Sequence, residues 1–215
     1  MQNRMISFAK EHGLILTAAS AEKLLSYANR VLDKKSQLNL TSANTLEELV
    51  NRHLCDGLVA AAQIAQLARK EGKETFSVID AGSGAGFIGF TTAASLPQAQ
   101  VTLVESLAKR CTFLNWIILQ EKFTNVTVKN IRLGQQNLVP ADYVTERAMG
   151  QLPDILGVCL SAVKPGGVFL AYQGVNASTD LVDPAKYAAK WEVVLPYQLV
   201  QDKTPKHLVL CRKEL

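Results

Sequence analysis

The chain has 215 residues, 48% of them hydrophobic and 20% charged, with a formal net charge of +4. That balance excludes a disordered chain and allows a domain with a substantial core. Mild basicity permits an anionic partner without demanding one, and no apolar run approaches membrane-spanning length.

Residues 1–10 lack a continuous apolar stretch, so no secretory signal is expected, and a cytoplasmic location is. Over residues 20–32, Ala21, Leu24, Leu25, Ala28, Val31 and Leu32 recur at helical spacing, with Ser20 as the expected N-cap. A polar loop is expected over 33–44. Thr45-Leu46-Glu47-Glu48 then reads as a capping box opening a helix, or a pair of helices, over 46–69. His53 and Asp56 fall on one face of it, where a cap or buried hydrogen bond is the plainest role. The charged stretch 70–74 reads as a linker, which divides the chain into a helical extension (1–74) and a second unit (75–215).

Beyond residue 75 the period changes. Strands are expected over 76–80, 100–105, 125–129, 142–145 and 167–172, with helices over 88–96, 108–121 and 152–163. Lys164-Pro165-Gly166-Gly167 reads as a turn. A last pair of strands, near 192–195 and 207–211, lacks a full helix between them and suggests an antiparallel hairpin at the sheet edge. Alternating β and α elements predict an α/β fold: a doubly wound, mostly parallel seven-stranded sheet with that hairpin at its end.

The most informative stretch is Val78-Ile79-Asp80-Ala81-Gly82-Ser83-Gly84-Ala85-Gly86-Phe87. An apolar β-branched run reaches an acid, then alternating glycines, then a helix. Such a turn lets a ligand approach the backbone closely. Asp80-x-Gly82-x-Gly84-x-Gly86 suits S-adenosylmethionine, because a carboxylate before the loop attracts a sulfonium and repels a pyrophosphate. Gly84-x-Gly86-x-x-Gly89 also meets the dinucleotide spacing, so a nicotinamide enzyme stays open here. Glu105 ends the next strand, where a carboxylate can accept both hydroxyls of a ribose, and Ser106 stands beside it.

Cations are dispersed: Lys34, Lys35, Arg52, Lys109, Arg110, Lys129, Arg132, Arg147, Lys203 and Lys206. Lys109, Arg132 and Arg147 follow predicted strand ends, where they could hold phosphates. Ser83 sits in the glycine loop, but Gly-x-Ser-x-Gly is missing, which argues against a hydrolase. Cys55, Cys111, Cys159 and Cys211 are widely spaced and the three histidines scattered, so reduced thiols and no metal site are expected.

Together these pieces resemble the rRNA small subunit methyltransferase G family, over nearly the whole chain. The likeness rests on Asn39-Leu40-Thr41, His53-x-x-Asp56, the glycine loop, and Glu105-Ser106-Leu107-x-Lys109-Arg110. Arg132, Glu146-Arg147-Ala148, the Lys-Pro-Gly-Gly turn and Lys206-His207-Leu208-Val209 extend it. The resemblance implies a Rossmann-like class I methyltransferase domain preceded by an N-terminal helical extension. It implies methyl transfer from S-adenosyl-L-methionine to N7 of a guanine in 16S rRNA, by a monomer whose partner is that RNA or the small ribosomal subunit. It further implies that Asp80, Gly82, Ser83, Gly84, Gly86, Phe87, Glu105, Ser106, Leu133, Gly134, Gln135 and Arg147 hold the cofactor. Lys109, Arg132 and Lys206 would face RNA, and Arg147, Asn39 and His53 would position the reactants. The chain departs from the family pattern at Gly57, Ile88, Gly134-Gln135, Gln173 and Lys206. A methyltransferase with another acceptor and a non-catalytic RNA-binding homologue are the alternatives.

Overall fold

The computed structural model describes residues 1–135, 138–174, 182–199, 202 and 204–215; Lys203 lies outside them. Two N-terminal helices, α1 (Gln2–Glu11) and α2 (Ala18–Leu38), lead into a continuous helical run. That run starts as α3 (Leu46–Glu48), passes through a π-helical segment (Leu49–Leu54), and continues as α4 (Cys55–Lys70). Five parallel strands follow, β1 (Phe76–Ala81), β2 (Ala99–Glu105), β3 (Val126–Asn130), β4 (Ala141–Glu146) and β5 (Val163–Gln173). Among them lie α5 (Phe87–Ser95), α6 (Ala108–Gln120) and α7 (Leu152–Ser161). The last two strands, β6 (Ala189–Tyr197) and β7 (Lys206–Lys213), pair antiparallel, and β7 also pairs antiparallel with β5.

The sheet order is β3-β2-β1-β4-β5-β7-β6, so the chain reverses its direction of travel between β1 and β4. Strand alternation sends side chains to two separate cores. Val78, Leu103, Tyr143 and Leu170 join α1, α2, α4, α5 and α6 on one face. Ile79, Val104, Val144 and Phe169 join α7 on the other. The first face is the larger because the N-terminal helices complete it: Met5, Leu24, Tyr27, Leu54 and Leu58 are all fully buried in the same cluster as the strands.

Three local expectations need correction. The polar stretch after residue 32 is helix as far as Leu38, because Leu38 packs on the core. The helix ends at Asn39 in a left-handed conformation (φ 50°). Its N-cap is Thr17, whose hydroxyl accepts from the Ser20 amide at 3.1 Å, so Ser20 lies inside the first turn. Lys164-Pro165-Gly166-Gly167 is no free turn: it lies within β5 where the register against β4 shifts, with Gly166 at φ 75°.

The stretch 70–74 is held by charge. Glu71 accepts from Tyr143 and Arg212, and Lys73 pairs with Asp142, which ties the end of α4 to β4 and β7. Gly57 fits the closest approach of α4 to α5, since a Cβ there would lie 2.6 Å from that of Thr91. The four cysteines are free and buried. Among the described residues, no helix is long and apolar enough to cross a membrane, and no three side chains are grouped to hold a metal.

Candidate active site

The chain's reversal between β1 and β4 opens a crevice at the carboxyl ends of the strands, where open α/β sheets bind ligands. The loop after β1 turns through Gly82, Gly84 and Gly86, at φ 64°, 58° and 89°. Gly86 has no room for a side chain: a Cβ would meet Phe90 at 2.6 Å and Leu114 at 2.8 Å. At Gly84 the same position is open, with nothing nearer than 4.0 Å. One glycine answers to packing; the other leaves space for a ligand.

Asp80 holds the loop from beneath. Its buried carboxylate accepts from the Gly89 amide at 2.9 Å and the Thr145 hydroxyl at 3.2 Å. Burial pushes its pKa up to about 6, against the lowering effect of those hydrogen bonds. Gly89, the last glycine of the dinucleotide spacing, therefore serves helix–strand packing: a Cβ there would lie 2.1 Å from Leu103. Ser83 also works within the loop, donating to the Asp80 carbonyl at 2.8 Å. Tyr27, from α2, donates to the Ala85 carbonyl at 2.8 Å, so the N-terminal helices help to set the loop.

Two cavities meet at Gly82. The first, of about 310 Å³, is an apolar slot walled by Ile131, Leu133, Met149, Ile155 and Val158, with Glu105 and Ser106 on one side and Arg132 at its exposed mouth. Glu105 is buried, and its carboxylate accepts from the Gly84 amide at 3.0 Å and the Leu107 amide at 2.8 Å. Gly134 turns the chain at φ 86°, because a Cβ would run into Val158; Gln135 is exposed beside it. Beneath Met149 lies Glu146, which burial pushes up to about 7.

The second cavity, of about 210 Å³, is lined by Thr41, His53, Phe87, Arg110, Arg147 and Ala148, together with the loop. His53 stacks on Phe87 with ring centroids 4.4 Å apart and planes 10° from parallel. Arg147 sits over the same Phe87 ring at 5.6 Å. Burial, then the charges of Arg147, Arg52 and Lys206, lowers the His53 pKa to about 3, so the imidazole is neutral at any physiological pH. Ala148 adopts φ 61°, a conformation costly for a residue with a side chain, and it lies directly at this cavity.

His53 and Asp56 do not pair with each other, despite their spacing. The π-helical turn sends them to different partners: His53 Nε2 lies 3.0 Å from the Thr41 hydroxyl. Asp56 is a buried hub. It accepts from Arg147 at 2.8 Å and from Tyr197 at 2.8 Å, pairs with Lys206 at 3.4 Å, and receives the Tyr172 hydroxyl on its backbone carbonyl. Lys206 is thus drawn into an ion cluster with Asp56 and Asp202, while Lys109 and Arg132 stay exposed. Asn39 contributes its backbone, accepting from Arg110 at 3.0 Å. Sequence reasoning missed the Asp56–Arg147 pair, which joins α4 to the residue after β4 across 91 positions.

A seven-stranded sheet in this order, with an acid closing β2 beside a glycine loop, defines the class I methyltransferase fold. Solved structures share it. The TYW2 protein of M. jannaschii, in complex with AdoMet, aligns with TM-score 0.55 at 17% identity, covering 66% of this chain and 70% of that one. TrmN from Thermus thermophilus aligns with TM-score 0.54 at 14% identity, covering 73% of this chain and 48% of that one. The family model for rRNA small subunit methyltransferase G matches residues 20–209. The ribosomal RNA small subunit methyltransferase G of Desulfitobacterium hafniense is 35% identical over 80% of this chain and 70% of its own. Its counterpart in Lactiplantibacillus plantarum is 30% identical over 95% and 86%. The chain belongs to the rRNA small subunit methyltransferase G family and is a methyltransferase.

Proposed function

We propose that the chain transfers a methyl group from S-adenosylmethionine to N7 of a guanine in the 16S RNA of the small ribosomal subunit. The observation that carries this reading is the pair of cavities meeting at Gly82, one shaped for an adenosine and the other without a competent base. The residues present fit the cofactor. Leu133, Ile131, Met149 and Val158 form an apolar slot for a planar base, and the Glu105 carboxylate stands beside it to accept ribose hydroxyls. The open approach at Gly84 leaves room for the remainder. When bound, S-adenosylmethionine supplies an electrophilic methyl group.

The second cavity then receives the guanine. N7 carries an in-plane lone pair and no proton, so the acceptor needs no deprotonation. The residues there match that demand. His53 is too weak a base to remove protons, Arg147 and Arg110 are cations, and Asp80 is occupied by Gly89 and Thr145. Phe87, His53 and Arg147 orient the reactants, so the rate comes from alignment. Lys109 and Arg132, exposed at the crevice rim, hold RNA phosphates. Lys206 serves as a tether for Asp56.

The test is transfer of label from S-adenosylmethionine to undermethylated 16S rRNA, protein-free and within small subunits, with mapping of the modified atom. Label at guanine N7 is expected. No label in either substrate, or label on an exocyclic amine or a ribose hydroxyl, overturns the proposal.

A further inference from the structure

A second concave surface lies along the seam of α2 and α6. It is a groove of about 450 Å³ lined by Lys34, Gln37, Leu38, Lys109, Phe113 and Trp116. Among the described residues neither lysine is engaged in an ion pair, and no carboxylate lines the groove. Trp116 is half-buried, and Arg30 lies 5.3 Å from its ring centroid. The surface therefore offers flat apolar area flanked by unneutralised cations.

The groove also neighbours the second cavity along two chain segments. Leu38 and Lys109 face the groove, while Leu40, Thr41 and Arg110, one to three residues further along the same two segments, line the cavity beside His53. Arg110 donates to the Asn39 carbonyl at 3.0 Å and fixes the two segments together at this crossing. A polymer with one unit in the cavity would have to cross that tie to enter the groove.

Single-stranded nucleic acid matches both features, since its bases stack on aromatic and apolar faces and its phosphates pair with lysines. We propose that the groove binds the single-stranded RNA flanking the target guanine, with a base on Trp116 and Leu38 and phosphates on Lys34 and Lys109. This rests on the rRNA methyltransferase reading and adds to it the path of the strand outside the catalytic cavity.

The experiment uses the full chain carrying Lys34→Gln and Lys109→Gln together, with undermethylated protein-free 16S rRNA. Both side chains are free of ion pairs, so cofactor affinity by calorimetry stays at the wild-type value. The KM for rRNA rises about tenfold, and the slope of log affinity against log salt becomes shallower by about 1.4, as two lost single-strand phosphate contacts require. Trp116→Leu weakens binding about tenfold without changing that slope, because stacking releases no counterions. Wild-type KM and salt slope in the lysine variant overturn the proposal. So does a defect on assembled subunits that is absent with protein-free rRNA, which would seat a ribosomal protein in the groove. If the wild-type chain methylates no rRNA, the parent reading fails. Fluorescence anisotropy with labelled single-stranded RNA still decides the groove, and an unchanged salt slope there rejects it.

Discussion

The slot beside Glu105 and the cavity beside His53 share Gly82, yet they are held together by different means. The slot is made by residues at or just after the ends of adjacent parallel strands and by one apolar face of α7. Its polar groups are satisfied by backbone amides from their own neighbourhood, as when Glu105 accepts from Gly84 and Leu107. The other cavity is made by His53 of the π-helical segment, the segment after α2, the glycine loop, Arg110 of α6 and the residues after β4. Side-chain bonds across the chain hold it, above all those converging on Asp56. A wall of local backbone bonds tolerates loss of one side chain. A wall tied through a single buried carboxylate does not.

The sharpest way to break that contrast is Asp56→Ala. Removing one partner of a buried ion pair strands Arg147, so a loss of about 3–5 kcal/mol in unfolding free energy is expected, measured by urea denaturation. A loss below about 1 kcal/mol would show that Asp56 is not the tie. Gly86→Ala attacks the loop that both cavities share. The left-handed backbone and the contacts with Phe90 and Leu114 together cost about 3 kcal/mol, to be read as a lowered Tm.

Gly84→Asp should separate binding from folding. Space is open there, so the fold loses only about 1–2 kcal/mol for its φ, while the new side chain fills the approach to the slot. Calorimetry should find no cofactor binding, and a retained wild-type Kd would remove Gly84 from the site. Glu105→Gln is milder toward the cofactor. Its amide nitrogen faces one of the two backbone donors that the buried carboxylate satisfies, so about 1–3 kcal/mol of stability is lost, and the cofactor Kd rises about tenfold, as expected for one charge-assisted hydrogen bond weakened.

The buried acids and the buried histidine titrate with opposite sign. Glu146, beneath the slot, is raised to about 7, and Asp80, at the second cavity, to about 6. Between about pH 4 and 7 the folded state holds more protons on these two acids than the unfolded chain does. Their contribution therefore weakens as pH rises through that window. His53 is lowered to about 3. Between about pH 3 and 6.5 the unfolded chain is the one that takes up a proton there, so its contribution weakens as pH falls. Glu146→Gln should thus raise stability at pH 8 relative to pH 5, and His53→Asn should raise it at pH 5 relative to pH 8. Parallel pH profiles for the two variants would contradict this division.

The readable half of the site is the local half. The glycine loop, Glu105 at the tip of β2 and the alternation of strands with helices all follow from spacing within about thirty residues, the scale of one βαβ unit. The hairpin at the sheet edge was legible because two apolar runs followed one another without a helix. Asp56 was visible as one acid on the same helix face as His53, and that spacing named no partner for it. Nothing near it in the chain marks Arg147 or Tyr197, which lie 91 and 141 positions away. The end of α2 was misplaced for a related reason: residues 33–37 are polar, and only the packing of Leu38 on the core extends the helix to Asn39.

By itself, then, the amino-acid order determined the element types, the loop that a ligand can approach, and the acid beside it, because φ preferences and side-chain periodicity act over a few residues. Which groups meet Asp56, that His53 is neutral and stacked on Phe87, and that two cavities share Gly82 were decided only by the tertiary structure. The physical reason is that burial and ion pairing depend on which strand ends and helix faces come together, and that arrangement has no local signature in the chain.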